Sequence, residues 1–206
     1  MTLMESAPLT GSETHWPIPP EDGYFAEDLD TIPDLPPHTE LIDGSLVFVA
    51  AQVNFHRRML KALEWRLSEQ APKEYEVVRE MTVTLGPKQR PEPDIMIVWA
   101  AAETSLDQSD FKPEDVLLVV EVVEVVSAES RVRDRERKPQ LYAGAGFQRY
   151  WRIEKDRTDG RPVVYAYELD PATRTYAPTG IHRGRLTASW PFPIDIDLDA
   201  IELPGQ

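Results

Sequence analysis

The chain has 206 residues, a formal net charge of -14 and no cysteine. This length suffices for one domain with a substantial core, and the absence of cysteine excludes disulfides and zinc sites built from thiolates. A strongly acidic protein is repelled by nucleic acid at long range, so any contact with DNA requires a local basic patch.

The N-terminal 20 residues are rich in Pro, Ser and Thr and are predicted to be disordered, which leaves a single domain over residues 21–206. They lack the basic start and apolar centre of a signal peptide. No apolar run approaches the roughly 20 residues that a membrane span requires. We therefore expect a cytoplasmic protein.

The first part of the domain is predicted to contain a short helix, a hairpin and a longer helix. Residues 21–32 favour the short helix, which the following prolines end. Residues 40–49 are typical of a hairpin with Asp43-Gly44 as its turn. From residue 53 to about 69, apolar side chains recur at helical spacing, so this segment is predicted to be an amphipathic helix.

The second part predicts buried strands around one more helix. Residues 94–99 and 116–126 are continuous apolar runs too short for core helices, which indicates strands covered on both faces. We expect the strands at 75–85, 94–99 and 116–124 to be neighbours in one sheet, packed by the helix of residues 55–67. The remaining predictions are a polar loop at 100–115, a helix at 131–145 interrupted or restarted at Pro139, and strands at 150–153 and 163–169. This order of elements indicates a mixed α/β core.

Acidic residues interrupt these apolar strands. Asp94 follows Pro93 and opens the first run, while Glu121 and Glu124 lie inside the second. An unpaired carboxylate in an apolar strand costs several kcal/mol, which favours a functional explanation. Two carboxylates can hold a divalent cation, and a lysine such as Lys138 can steady the attacking water or the charge on phosphate. The pattern is typical of a metal-dependent phosphodiesterase.

Only one of the two glutamates can serve such a site, because an odd offset places them on opposite faces of a regular strand. If Glu124 serves, Glu121 is left in the middle of the sheet on the face that a helix covers. If Glu121 serves, Glu124 lies near the end of the strand, closer to water. The burial cost therefore favours Glu121, and both residues stay candidates.

Several strings spread from about residue 20 to 200 resemble the bacterial Uma-type family of putative restriction endonucleases, which belongs to the PD-(D/E)XK nuclease superfamily. Their order and spacing are more specific than any single string. The strings are Glu40-Leu41-Ile42-Asp43-Gly44, Pro93-Asp94, Glu124-Val125-Val126-Ser127, Arg133-Asp134-Arg135, Lys138, Leu141-Tyr142-Ala143, Gly146 and Tyr150-Trp151. The resemblance implies a restriction-endonuclease-like α/β (α+β) core, with a central mixed sheet flanked by helices and the acids at one edge.

The resemblance also implies roles for individual residues. It makes Asp94 the metal-binding aspartate, and it places the family's glutamate at Glu121 when counted forward from residue 115 or at Glu124 when counted back from residue 127. The superfamily's lysine two residues after that acid is replaced by valine here, so the resemblance assigns its role to Lys138. Glu40 matches a further acid of the family that could complete the metal site.

The predicted function is a DNA endonuclease that depends on Mg²⁺ or Mn²⁺ and acts as a homodimer, with one strand cut by each subunit. The alternative is a catalytically weak or inactive nuclease fold that serves as a binding or scaffold protein, which the net charge of -14 favours. Plainer roles also exist for single residues: Asp94 could cap a strand, Lys138 could be solvated, and Glu40 could pair at the sheet edge. His56, at the start of the long helix, is predicted to be structural or exposed.

Overall fold

The structure is a computed structural model that describes residues 18–48, 52–123 and 132–201. Short 3₁₀ helices span Ala26–Asp30, Ala100–Ala102 and Pro113–Asp115, and a π-helical turn, Arg133–Arg137, leads into the second α-helix. No helix within the described ranges is both long and apolar enough to cross a membrane. The elements in chain order are β1 (Thr39–Ile42), β2 (Ser45–Phe48), α1 (Asn54–Gln70), β3 (Tyr75–Arg79), β4 (Thr82–Val83), β5 (Ile95–Trp99), β6 (Asp110–Phe111), β7 (Val116–Val122), α2 (Lys138–Ala145), β8 (Arg149–Lys155), β9 (Pro162–Asp170), β10 (Thr175–Arg183), β11 (Arg185–Ala188) and β12 (Ile194–Asp197).

A six-stranded mixed sheet forms the centre of the fold, in the order β10-β9-β8-β7-β5-β3. Strands β3, β5 and β7 are mutually antiparallel, β7 runs parallel to β8, and β8, β9 and β10 are antiparallel again. The expectation that β3, β5 and β7 are neighbours, packed by α1, is confirmed. The α/β fold class is confirmed as well.

Both faces of β5 and β7 are covered, which explains their continuous apolar sequences. On one face, α1 and the β11–β12 hairpin pack against alternate residues of the two strands, such as Ile97 and Val120. On the other face, α2 packs against the intervening residues, such as Met96 and Val119. Glu121 follows Val120, so its side chain lies on the α2 face.

Three segments differ from the sequence predictions. The strand predicted at 75–85 is divided, because Glu80 adopts a φ of 52° and turns the chain out of the central sheet. After this turn, β4 pairs in parallel with β6, a strand inside the predicted polar loop at 100–115. The short helix predicted at 21–32 is a 3₁₀ helix, Ala26–Asp30. The predictions for residues 1–17, for Glu124 and for the end of the 116–126 strand fall outside the described residues.

The predicted hairpin of β1 and β2 is confirmed, with Asp43 and Gly44 at φ values of 53° and 73°. Two positive φ angles in a two-residue loop are typical of the type I′ turn. The hairpin is attached to the segment before β5 by paired backbone hydrogen bonds between Leu41 and Arg90 of 3.0 and 2.8 Å. This attachment places Glu40 beside the start of β5.

Arg90 is a buried cation that joins four parts of the chain, with an exposed fraction of 4%. Its guanidinium donates to Thr82 Oγ1 at 3.0 Å, to the Ala26 carbonyl at 3.1 Å and to Asp30 Oδ2 at 2.7 Å. A further bond of 3.2 Å reaches Ser109 Oγ. The N-terminal 3₁₀ helix and the loop before β6 are therefore held together by one side chain.

Replacing Arg90 by alanine should destabilise the protein by about 2–4 kcal/mol, because several buried polar groups lose their partner at once. Urea denaturation followed by tryptophan fluorescence would measure the loss. The exposed Arg157 provides a matched control, and Arg157→Ala should change stability by less than ~0.5 kcal/mol. Equal losses for the two variants would contradict a joining role for Arg90.

Candidate active site

A buried lysine lies among carboxylates at the point where β1, β5, β7 and α2 meet. Glu121 is 4% exposed and Lys138 is 5% exposed. Lys138 Nζ lies 3.0 and 3.2 Å from the two carboxylate oxygens of Glu121, and 2.8 Å from Glu40 Oε1. It also donates to the Glu92 carbonyl at 3.4 Å. The Lys138 ammonium therefore connects three segments that are distant in sequence.

The start of α2 explains how Lys138 comes to face Glu121. The Lys138 backbone N–H donates to the carbonyl of Arg133, five residues earlier, in the wider π-helical turn. The next residue, Pro139, has no N–H, and its ring would clash with the carbonyl four residues before it in a regular helix. One helical turn further on, Tyr142 donates its hydroxyl to Glu121 Oε1 at 2.5 Å. Lys138 and Tyr142 thus share a helix face, as their spacing predicts.

Asp94 lies next to Glu121 at the start of β5. Ile95 pairs with Val120, so Asp94, one residue earlier, lies beside Glu121. Asp94 Oδ2 accepts a 2.6 Å hydrogen bond from the backbone N–H of Val122. Its other oxygen, Oδ1, lies 3.1 Å from His56 Nε2 on the first turn of α1. Asp94 is therefore hydrogen-bonded to β7 and in contact with α1.

Glu40 and Glu92 complete the cluster from the hairpin side. Glu40 is 1% exposed, and its Oε1 accepts a 2.8 Å hydrogen bond from the Glu92 backbone N–H. The Glu92 carboxylate contacts His38 Nδ1 at 2.5 Å. Pro91 and Pro93 flank Glu92 and favour an extended backbone there. The extended backbone directs the Glu92 carbonyl toward Lys138 and places Asp94 in the cluster.

The electrostatics of the cluster show an excess of negative charge. The pKa of the Glu121 carboxyl is raised to about 8, chiefly by burial and also by the Asp94 and Glu40 carboxylates, against the lowering effects of Lys138 and of the Tyr142 hydrogen bond. Burial also raises the pKa values of Glu92 and Asp134. For Lys138, burial lowers the pKa, but the surrounding carboxylates outweigh it and the net pKa lies well above its ordinary value. The site therefore favours additional positive charge.

The unfolding free energy should fall as the pH rises from about 4.5 to about 8, because folded Glu121 holds its proton more tightly than an unfolded glutamate does. This contribution is fully present below the unfolded pKa and is lost as the pH passes through the folded pKa. Thermal unfolding in a chelating buffer would measure it. Glu121→Gln carries no such proton, so its unfolding curve should depend less on pH. Equal pH dependence in both proteins would contradict the raised pKa.

The structure brings four of the five predicted site residues together. Asp94, Glu121, Lys138 and Glu40 form one cluster, while Glu124 lies outside the described residues. Lys138 is buried, so the alternative of a solvated lysine is wrong. His56 is a contact of Asp94 that the sequence prediction missed. Its position on the core-facing stripe of α1, in register with apolar residues, was the available signal.

The donor chemistry of the cluster fits a hard divalent cation. Carboxylate oxygens are the ligands that Mg²⁺ and Mn²⁺ prefer, and Asp94, Glu121 and Glu40 supply them. Within residues 18–48, 52–123 and 132–201, no three acidic or histidine side chains converge in a metal-binding arrangement. Between Glu121 and Glu40 the Lys138 ammonium provides the neutralising charge. The residues fit a cation by donor type, while in the arrangement described the Lys138 ammonium supplies the balancing charge.

A mixed sheet with acids on neighbouring strands and a lysine on the next helix is the arrangement of a restriction-endonuclease-like core. The family model described as "Uma2: Putative restriction endonuclease" matches residues 26–200, and the chain belongs to this family. No curated protein matches the chain.

A solved structure shares the fold. It is the crystal structure of "a putative nuclease belonging to DUF820" from Anabaena variabilis ATCC 29413, which is 13% identical to this chain. The match has a TM-score of 0.57 and covers 80% of this chain and 88% of the other. At this identity the likeness concerns the fold alone.

Proposed function

We propose that the protein is a DNA endonuclease that hydrolyses phosphodiester bonds with the help of Mg²⁺ or Mn²⁺. The observation that carries this proposal is the buried Glu121, which lies beside Asp94 on the neighbouring strand and is bonded to Lys138. A buried carboxylate with a strongly raised pKa in a cluster of acids is typical of a functional site. Membership of a restriction endonuclease family supports the same reaction and DNA as the substrate.

In this proposal Asp94 and Glu121 hold the cation, and Glu40 supplies a further oxygen. The bound cation would polarise the scissile phosphate and acidify a water molecule. Glu121 rather than Glu124 is assigned, because its carboxylate is already oriented by Tyr142 and Lys138. Glu124, outside the described residues, stays an alternative ligand.

The remaining residues position these groups. The Val122 N–H donates a hydrogen bond to one oxygen of the Asp94 carboxylate, and His56 lies 3.1 Å from the other. The longest hydrogen bond of Lys138 is the 3.4 Å bond to the Glu92 carbonyl. Of its hydrogen bonds, this one would be exchanged most easily for a bond to a phosphate oxygen. This Lys138 N–H would orient the attacking water or neutralise the charge that develops on the phosphate.

A homodimer in the cytoplasm is the form in which we expect this activity. Two-fold symmetry is the commonest arrangement of homo-oligomers, and it would present one active site to each strand of a duplex. Sedimentation velocity of the purified protein, with and without duplex DNA, would test the stoichiometry.

Calorimetric titration should detect Mn²⁺ binding by the wild-type protein, and Asp94→Asn should weaken it by at least ~10-fold because one ligand charge is removed. Asp195, an exposed acid paired with Arg185, provides the control. Asp195→Asn should bind Mn²⁺ as the wild type does. Equal weakening in the two variants would indicate a general effect of surface charge and would contradict the assigned ligand.

The second candidate is a binding or scaffold protein with an inactive nuclease fold. One observation favours it: the three central carboxylates already have partners in Lys138, Tyr142, His56 and backbone N–H groups. Such a satisfied cluster could serve stability alone. Absence of Mn²⁺ binding by the wild type, together with absence of cleavage, would favour this alternative.

A further inference from the structure

The outer side of α1 carries more cations than acids in an acidic protein: its two acids, Glu64 and Glu69, pair with Arg79 and Arg66 respectively. No lysine or arginine precedes Arg57, and four of the chain's 22, Arg57 included, lie within α1. Three of these four, Arg58, Lys61 and Arg66, surround Trp65, whose exposed fraction is 63%. We call Arg58, Lys61, Trp65 and Arg66 the α1 patch. Such a local basic surface is what nucleic-acid binding requires of a chain with this net charge.

A shallow groove runs between the α1 patch and the turn that follows β12. It encloses about 260 Å³ and has small or apolar side chains, such as Ala62 and Ile201, along its floor. Asp197 lies on the far side, where its Oδ1 accepts the backbone N–H groups of Asp199 and Ala200. The groove thus combines one broad aromatic face with cations along one rim.

Helical spacing aligns the members of the α1 patch. Residues three and four apart lie on the same side of a helix, which makes Lys61 a neighbour of both Arg58 and Trp65. At a rise of about 1.5 Å per residue, Arg58 and Arg66 are separated by about 12 Å along the axis. This span is long enough for the patch to contact more than one phosphate of a strand.

The same helix connects the α1 patch with the candidate active site. His56, in the first turn of α1, contacts Asp94 at 3.1 Å. Trp65 lies about 14 Å further along the helix axis, on its outer side. A nucleic-acid strand bound there would be held by an element that also contacts the proposed metal ligand.

We propose that the α1 patch binds an unpaired segment of DNA, with one base stacked on Trp65 and its flanking phosphates on Lys61 and Arg66. A base inside a duplex cannot stack on Trp65, which favours a single strand. Stacking of a base on an aromatic side chain contributes about 1–3 kcal/mol and tolerates any sequence. The α1 patch would give the nuclease a second DNA-binding surface outside the active site. This role rests on the proposed nuclease function.

Fluorescence anisotropy tests the patch separately from cleavage. A labelled 15-nucleotide oligothymidylate and a duplex of equal length would be titrated with the full chain at low salt in the presence of a chelator. The single strand should bind more tightly. Trp65→Ala should weaken its binding by about 5- to 150-fold, the equivalent of one lost stacked base.

Charge variants give a second readout. The double variant Lys61→Ala/Arg66→Ala should reduce the slope of log K against log salt by about 1.4, since each single-strand phosphate contact contributes about 0.7. Lys73→Ala removes an exposed lysine outside the patch and should leave the affinity and the slope nearly unchanged. Circular dichroism would verify that all variants fold.

Three outcomes would overturn the proposal: no binding by the wild type, equal binding by Trp65→Ala, or an unchanged salt slope in the double variant. Self-association through the patch is a fourth outcome that would overturn the proposal. If light scattering shows that Trp65→Ala turns a dimer into a monomer while DNA binding persists, the patch is a contact between copies of the chain. If the wild type binds the oligonucleotide through the patch but cleaves no DNA with Mn²⁺, the nuclease function is refuted and the patch is retained.

Discussion

Asp94→Ala should reduce Mn²⁺-dependent nicking of supercoiled plasmid DNA by at least ~100-fold, because one of the three carboxylate ligands proposed for the metal disappears. Asp94 is also the residue that contacts two elements, through Val122 and His56. The assay is run at low salt, since an acidic protein neutralises few phosphates and binds DNA weakly, and added salt weakens that binding further. Gel electrophoresis of nicked and linear products over time measures the rate.

Asp195→Ala is the matched control for this experiment. It removes an exposed acid that pairs with Arg185, far from the cluster in sequence, and nicking should stay near the wild-type rate. Equal nicking by the wild type and Asp94→Ala would point to a contaminating nuclease. No nicking by the wild type on varied DNA and RNA substrates would favour the binding or scaffold alternative.

The central sheet and α1 could be predicted from the sequence because burial imposes a pattern on them. Strands β5 and β7 are covered on both faces and therefore read as unbroken apolar runs. The turn at Asp43-Gly44 was predictable for a different reason, since few residue pairs tolerate two positive φ angles.

Other elements lack such a signal. Strand β10 lies at the edge of the sheet with mostly exposed side chains, and its pairing with β9 shifts between Pro178 and Gly180. Little burial means little apolar periodicity, so nothing in the sequence distinguishes this strand from a loop. The break between β3 and β4 depends on a positive φ at Glu80. Glutamate, unlike glycine, rarely adopts a positive φ, so its presence does not predict a turn.

The candidate site was predictable in part. Asp94 and Glu121 are conspicuous as acids in apolar runs. The large free-energy cost expected for their burial applies to a carboxylate without a partner. Glu121 is in fact paired with Lys138 and Tyr142, which follow it by 17 and 21 residues. Such partners depend on how α2 crosses the sheet, which spacing along the chain does not determine. The contribution of Glu92 is even harder to predict, because its backbone groups and not only its side chain face the cluster.

Lys138→Met should destabilise the protein by about 3–5 kcal/mol above pH 8, where Glu121 is ionised, because Glu121 and Glu40 then lose the cation that balances their buried charges. Methionine retains the length and apolar stem of lysine, so the change tests charge more than packing. Urea denaturation followed by tryptophan fluorescence measures the loss. Adding Glu121→Gln to Lys138→Met should restore part of the stability, since one uncompensated carboxylate is then removed.

Mn²⁺ distinguishes a cation site from a purely structural ion pair in the same variant. If the carboxylates can accept a divalent cation, Mn²⁺ should raise the melting temperature of Lys138→Met more than that of the wild type, because it replaces the missing charge. Glu121→Gln/Lys138→Met should respond less, and Lys73→Met, which alters an exposed lysine, should respond as the wild type does. A large loss of stability that Mn²⁺ does not relieve would mean that Lys138, Glu121 and Glu40 form a structural cluster, and the proposed metal ligands would then be wrong.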